Sequence, residues 1–81
     1  METFGQRLRS ARERAMKTQA GLSQEAGVAI VTISRLETGD SPYPRPATVL
    51  RLASALGIDA ATLMWGEETG TRRRKAPARV N

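Results

Sequence analysis

The side chains best equipped for chemistry in this 81-residue chain are basic: 13 Lys and Arg stand against 8 Asp and Glu, a formal net charge of +5. Such an excess draws a polyanion, and composition alone does not say which one. Cys and His are both missing. That removes disulfides, thiolate or imidazole metal sites and every His-dependent nucleophilic triad. The sequence also carries no phosphate-cradling glycine loop and no carboxylates paired for acid–base work. We therefore expect no enzyme, no metal and no cofactor. No apolar run approaches the roughly 20 residues of a membrane span, and Met1-Glu2 does not open a signal peptide. A reducing cytoplasm without membrane contact is the expected setting.

The charge divides unevenly. Residues 1–66 hold 8 basic and 6 acidic side chains, a net of +2, whereas residues 67–81 hold 5 basic and 2 acidic, a net of +3. The last stretch has one sizeable aliphatic residue, Val80, and buries too little apolar surface to offset its ordering entropy. It is predicted as a disordered basic tail whose Arg72, Arg73, Arg74 and Lys75 contact phosphates; a solvated, solubilising end is the alternative. The aromatics are Phe4, Tyr43 and Trp65, too few for a platform that stacks unpaired bases.

The elements that must position any site are helical. Phe4, Leu8, Ala11 and Ala15 form one apolar stripe behind a candidate N-cap at Thr3, with Arg7, Arg9, Glu13 and Arg14 on the opposite face. Thr18 caps a short helix over Gln19 to Ala26, with Leu22 and Ala26 inward, and Gly27 supplies a left-handed turn. A third helix runs from Ala29 or Ile30 to Thr38 and stops at Gly39. Its β-branched run Ile30-Val31-Thr32-Ile33 has no alternation and no second strand to pair with, so a strand is rejected. Three prolines between Asp40 and Pro46 make a loop. Pro46 starts a fourth helix with Val49, Leu52, Ala53 and Leu56 on one face, Gly57 ends it, and Asp59 caps a last short helix with Leu63 and Met64. The fold class is all-α: a compact five-helix domain over residues 1–66, then the basic tail over 67–81.

Helix, turn and helix from Thr18 to Leu36, with Gly27 at the turn, outline a DNA-reading unit. TISRLETG, Thr32 to Gly39, resembles the end of the recognition helix in the phage-repressor and Cro family, the XRE-like helix-turn-helix regulators. Thr18-Gln19 is similar to that family's opening of the first motif helix, Gly27-Val28 to its turn, and LASALGIDAATLMWG, Leu52 to Gly66, to its last two helices. The resemblance covers residues 4–66 in one register. GLSQEA at 21–26 also resembles the family's opening, but starting there leaves too short a span to Leu36 for two helices and a turn. Three departures stand out. Ala29 replaces the usual Ser or Thr cap, Met16-Lys17 replaces a Gly-Leu pair, and the loop at 40–46 is longer by about one residue.

The resemblance implies a sequence-specific, non-enzymatic transcription regulator that places the third helix in the major groove of double-stranded DNA. By that register Ala29, Ile30, Val31, Thr32, Ser34 and Arg35 face base edges. Arg35 is the candidate for a bidentate guanine contact, with a phosphate contact or surface salt bridge as its plainer role. Ile30 and Val31 either touch thymine methyls or pack inward behind a shifted helix start. Gln19 is similar to the family glutamine that bonds a phosphate, and Thr38 and Arg45 flank the helix end within reach of phosphates. Arg12 and Glu37 match a buried ion pair that is structural. The resemblance further implies a homodimer on a pseudo-palindromic operator, with Pro46, Ala60, Thr62, Met64 and Trp65 as the dimer surface; Trp65 as a lid on the core is the alternative. A second reading is an antitoxin-type protein that neutralises a toxin partner and regulates its own operon.

Overall fold

Caps and turns fix the helix boundaries before packing does. The computed structural model describes residues 2–66; the expected tail, with Arg72, Arg73, Arg74 and Lys75, lies outside the described residues. Helix α1 spans Phe4–Arg14, α2 Gln19–Ala26, α3 Ile30–Thr38, α4 Pro46–Leu56 and α5 Ala60–Trp65. The Thr3 hydroxyl accepts from the Gln6 N–H at 3.1 Å while the Gln6 side chain accepts from the Thr3 N–H at 2.9 Å, a reciprocal capping box. Thr18 caps α2 by accepting from the Gly21 N–H at 2.9 Å. Gly27, Gly39 and Gly57 end α2, α3 and α4 with φ of 70°, 93° and 73°, where any other side chain is strained.

Each helix contributes one fully buried aliphatic side chain: Leu8, Leu22, Ile33, Leu52 and Leu63. Phe4, Val28, Leu36, Val49 and Ala53 complete the core around them. Burying each large aliphatic group is worth about 1.5–3 kcal/mol, which is what holds helices this short together. The β-branched run is helical, with Ile33 buried and Ile30 and Val31 outside. The shifted, inward-packing alternative for those two residues is therefore discarded.

Three details depart from expectation. The stripe on α1 buries only its first half: Phe4 and Leu8 are core, whereas Ala11 and Ala15 are half-buried. Arg7 does not sit on a solvated face. Its guanidinium donates to the carbonyls of Leu63 at 2.9 Å, Met64 at 2.5 Å and Glu2 at 3.1 Å, so it ties α1 to the carbonyl end of α5, where a cation also suits the helix dipole. Met16 takes φ 59° just after α1, and its side chain is 91% exposed. Glycine is the residue this conformation favours, and Met16 carries the strain without compensating packing.

Candidate nucleic-acid interface

Helix α3 is held on its inner side and left open on its outer side. Ile33 and Leu36 bury it against the core. At its far end, Gly39 and Ser41 both donate backbone N–H groups to the Arg35 carbonyl at 3.1 Å. Helix α1 crosses so near that a Cβ on Gly5 would stand 2.2 Å from the Leu36 carbonyl oxygen. Glycine at position 5 is thus a packing requirement. No turn signal marks it, because the helix there is regular.

A half-buried polar cluster fixes the rest of this seam. Arg12 donates through Nε to Glu37 Oε2 at 2.7 Å and through Nη2 to Oε1 at 3.0 Å, a forked pair with side chains 13% and 4% exposed. The third arm of Arg12, Nη1, donates to the Lys17 carbonyl at 3.0 Å in the turn after α1. The bonds to Glu37 hold the Arg12 guanidinium above the ordinary arginine pKa, against the opposing effect of burial. Gln19, the first residue of α2, adds its Nε2–H to Glu37 Oε1 at 3.1 Å. One carboxylate therefore gathers donors from α1 and α2 onto α3.

The turn between α2 and α3 is fastened separately. Ser23 Oγ donates to the Val28 carbonyl at 2.6 Å, and Arg51 of α4 approaches the Gly27 carbonyl at 3.5 Å. Sequence reasoning singled out neither Ser23 nor Gly5 nor the clamp of Arg7. Ser23 in the last turn of a helix is a weak signal, and the other two depend on contacts distant in sequence.

The outward face of α3 carries most of the residues marked from sequence. Ala29, Ile30, Val31 and Arg35 are exposed, Ile30 and Val31 to 47% and 49%, whereas Thr32 and Ser34 are half-buried. Ala29 occupies the N-cap without a side-chain bond, as its missing hydroxyl dictates. Thr38 is exposed and turns its hydroxyl to the Arg35 carbonyl at 3.3 Å. Arg45 is exposed at the N-cap position of α4. The ion pairs among the described residues engage Arg9, Arg12 and Lys17 and leave Arg35 and Arg45 out. Hence the outer face of α3 presents two aliphatic side chains in its first turn and, in its last turn, a guanidinium outside any ion pair.

Residues 3–64 match the family model of a helix-turn-helix domain. The chain belongs to that family. It is 43% identical over 65 residues to the HTH-type transcriptional repressor RghR of Bacillus subtilis (strain 168), covering 80% of this chain and 48% of that protein. A second relative, described as the uncharacterized HTH-type transcriptional regulator RghRB of the same organism, is 38% identical over 64 residues, with coverages of 79% and 46%. The chain thus spans about half the length of these curated relatives. Among solved structures, the P22 c2 repressor protein crystallised with a synthetic operator superposes with a TM-score of 0.74 at 30% identity, over 83% of this chain and 100% of that one. The helix-turn-helix register opening at Thr18-Gln19, and not at GLSQ, is the one the fold adopts.

A second surface lies away from α3. Pro46, Ala60, Met64 and Trp65 line one groove of about 340 Å³ together with Pro44, Val49, Leu50 and Ala61. Trp65 is 69% exposed there, so it is not a lid on the core. Thr62 does not join this surface. It lines a different groove with Arg7, Ser10, Ala11 and Arg14, because α5 turns its successive residues to different sides.

Proposed function

We propose that this protein is a sequence-specific, non-enzymatic transcriptional regulator, a repressor, that inserts the N-terminal end of α3 into the major groove of double-stranded DNA. The observation that carries the reading is the rigid seating of α3 by Arg12, Glu37 and Gly5 beneath an open outer face. Ala29, Ile30, Val31, Thr32, Ser34 and Arg35 are the base-facing set. Arg35 donates to guanine O6 and N7, and Ile30 and Val31, which lack polar atoms, read thymine methyl groups. Gln19, Thr38 and Arg45 hold phosphates and set the register. The tail cations Arg72, Arg73, Arg74 and Lys75 add sequence-blind affinity.

So few base contacts give one domain little selectivity, and two copies on a pseudo-palindromic operator double them. We assign the groove containing Pro46, Ala60, Met64 and Trp65 to that homodimer, which acts in the cytoplasm on the nucleoid. Half-sites then lie about 34 Å apart, one helical turn of DNA. Footprinting on the DNA upstream of its own gene, repeated over a salt series, tests the proposal. A protected site with two-fold symmetry and an affinity that falls with salt is expected; no protection and a flat salt response refutes it.

A further inference from the structure

We infer that Glu37 is a positioning residue for DNA binding: it orients the Gln19 carboxamide so that one amide hydrogen is held inside and the other is aimed at a DNA phosphate. The inference rests on the DNA-binding reading above and adds a residue that touches no DNA. A carboxylate accepts hydrogen bonds and donates none. Gln19 must therefore turn its nitrogen, not its oxygen, toward Glu37, and it does so with Nε2 at 3.1 Å from Oε1. The reverse orientation would set two acceptors face to face. With the nitrogen fixed, its second hydrogen and the amide oxygen have only fixed directions left, and the planar group cannot flip without breaking that bond.

Charge is handled within the same cluster. A phosphate near an unpaired carboxylate would be repelled, but Arg12 covers Glu37 with two bonds at 2.7 and 3.0 Å. Glu37 can thus direct Gln19 without driving off the anion that Gln19 serves. Because Gln19 opens α2 while Glu37 belongs to α3, the bond also couples the phosphate contact to the seating of the reading helix.

The test is a cycle of variants and DNA chemistry on the protected site. Equilibrium affinity is measured for the wild-type protein, Gln19→Ala and Glu37→Gln, on native DNA and on DNA bearing a neutral methylphosphonate at each protected phosphate in turn. One methylphosphonate should weaken wild type about tenfold, the worth of a charge-assisted hydrogen bond. Gln19→Ala should lose that penalty entirely while melting within a few degrees of wild type, and Glu37→Gln should lose most of it. A penalty undiminished in either variant overturns the inference while leaving the regulator reading intact. Should Glu37→Gln not fold, exchange of the two Gln19 side-chain amide hydrogens in wild type decides. One slowed hydrogen in the free protein, and a second slowed only on native DNA, is expected; two that exchange alike overturn the inference. A wild-type protein that protects no DNA overturns the regulator reading as well.

Discussion

Gly5→Ala is the substitution whose sign the structure reverses. In a helix open to solvent, alanine in place of glycine is stabilising by about 0.5–1 kcal/mol, through lower chain entropy in the unfolded state. Here the added methyl would lie 2.2 Å from the Leu36 carbonyl oxygen and 3.0 Å from that of Glu37. Both obstacles are backbone, so no side chain can swing aside. Relief requires α1 to retreat from α3 by roughly 1 Å, since unstrained contacts begin near 3.5 Å and some of the gap closes by tilting. That retreat pulls Phe4 and Leu8 from the core and stretches the forked bond between Arg12 and Glu37.

Overpacking of this kind costs about 1–3 kcal/mol, and rigid backbone on both sides puts Gly5 at the upper end. After subtracting the helical gain of up to about 1 kcal/mol, a net loss of about 2 kcal/mol remains. For a domain of this size that lowers Tm by roughly 8–16 °C. Gly21→Ala is the internal control. It lies in α2, where the added Cβ meets only the Thr18 hydroxyl at 3.2 Å, and its Tm should move by a few degrees at most. Thermal unfolding followed by circular dichroism measures both. If Gly5→Ala melts at or above the wild-type temperature, the close approach of α1 to α3 is wrong, and so is the seating of α3 built on it.

Three further outcomes separate structural from functional side chains. Arg12→Ala leaves Glu37, 4% exposed, without its charge partner and should cost about 3–5 kcal/mol in thermal or urea unfolding; the double variant Arg12→Met/Glu37→Leu should recover most of that loss. Met16→Gly should raise stability by about 0.5–1 kcal/mol in the same assay, because removing roughly 1–2 kcal/mol of left-handed strain outweighs glycine's entropy. Arg35→Ala should leave Tm within a degree or two and weaken specific binding by about 1–3 kcal/mol, with nonspecific binding unchanged, in a competition titration. An Arg35 variant that melts early while binding normally would reverse the assignments of Arg12 and Arg35.

Most of the fold was legible because its signals are local. Thr3, Thr18, Gly27, Gly39, Pro46 and Gly57 mark boundaries by chemistry that reaches no further than one helical turn, and all six stand at the boundaries of the observed helices. What escaped notice depends on contacts between distant residues. Gly5 looks like an ordinary weak helix residue until Leu36 is set against it, and Arg7 looks solvated until Leu63 and Met64 arrive beside it 56 and 57 residues later. Thr62 shows the converse limit. Resemblance grouped it with Ala60 and Met64, whereas in the fold it lines a different groove, since residues two apart on a helix point to different sides. Family resemblance brought Arg12 and Glu37 together where spacing alone would not, and the Glu37–Gln19 bond belonged to neither source.

Pairing within the helical domain narrows what its charge can do. Of the eight basic residues in 1–66, Arg7 and Arg51 are turned to carbonyls, and Arg9, Arg12 and Lys17 are paired with Glu13, Glu37 and Glu25. Arg14, Arg35 and Arg45 remain, and Arg14 lines a groove with Ala11 and Thr62 on a different side of α1 from Glu37. If Arg35 reads a base, Arg45 is the described cation near α3 with neither an ion pair nor a carbonyl partner, the exposed Arg51 keeps its charge beside the Gly27 carbonyl, and Gln19 and Thr38 bring none. Each neutralised phosphate steepens the salt dependence of the logarithm of affinity by about 0.9. The helical domain alone should then show a slope of about 1–2 per copy, and Arg72, Arg73, Arg74 and Lys75 could raise it to about 5. A chain ending at Gly66 should keep its site preference and lose most of that slope in titrations at several salt concentrations. An unchanged slope would place the phosphate contacts on the helical domain, and the pairings that engage its cations would have to break on binding.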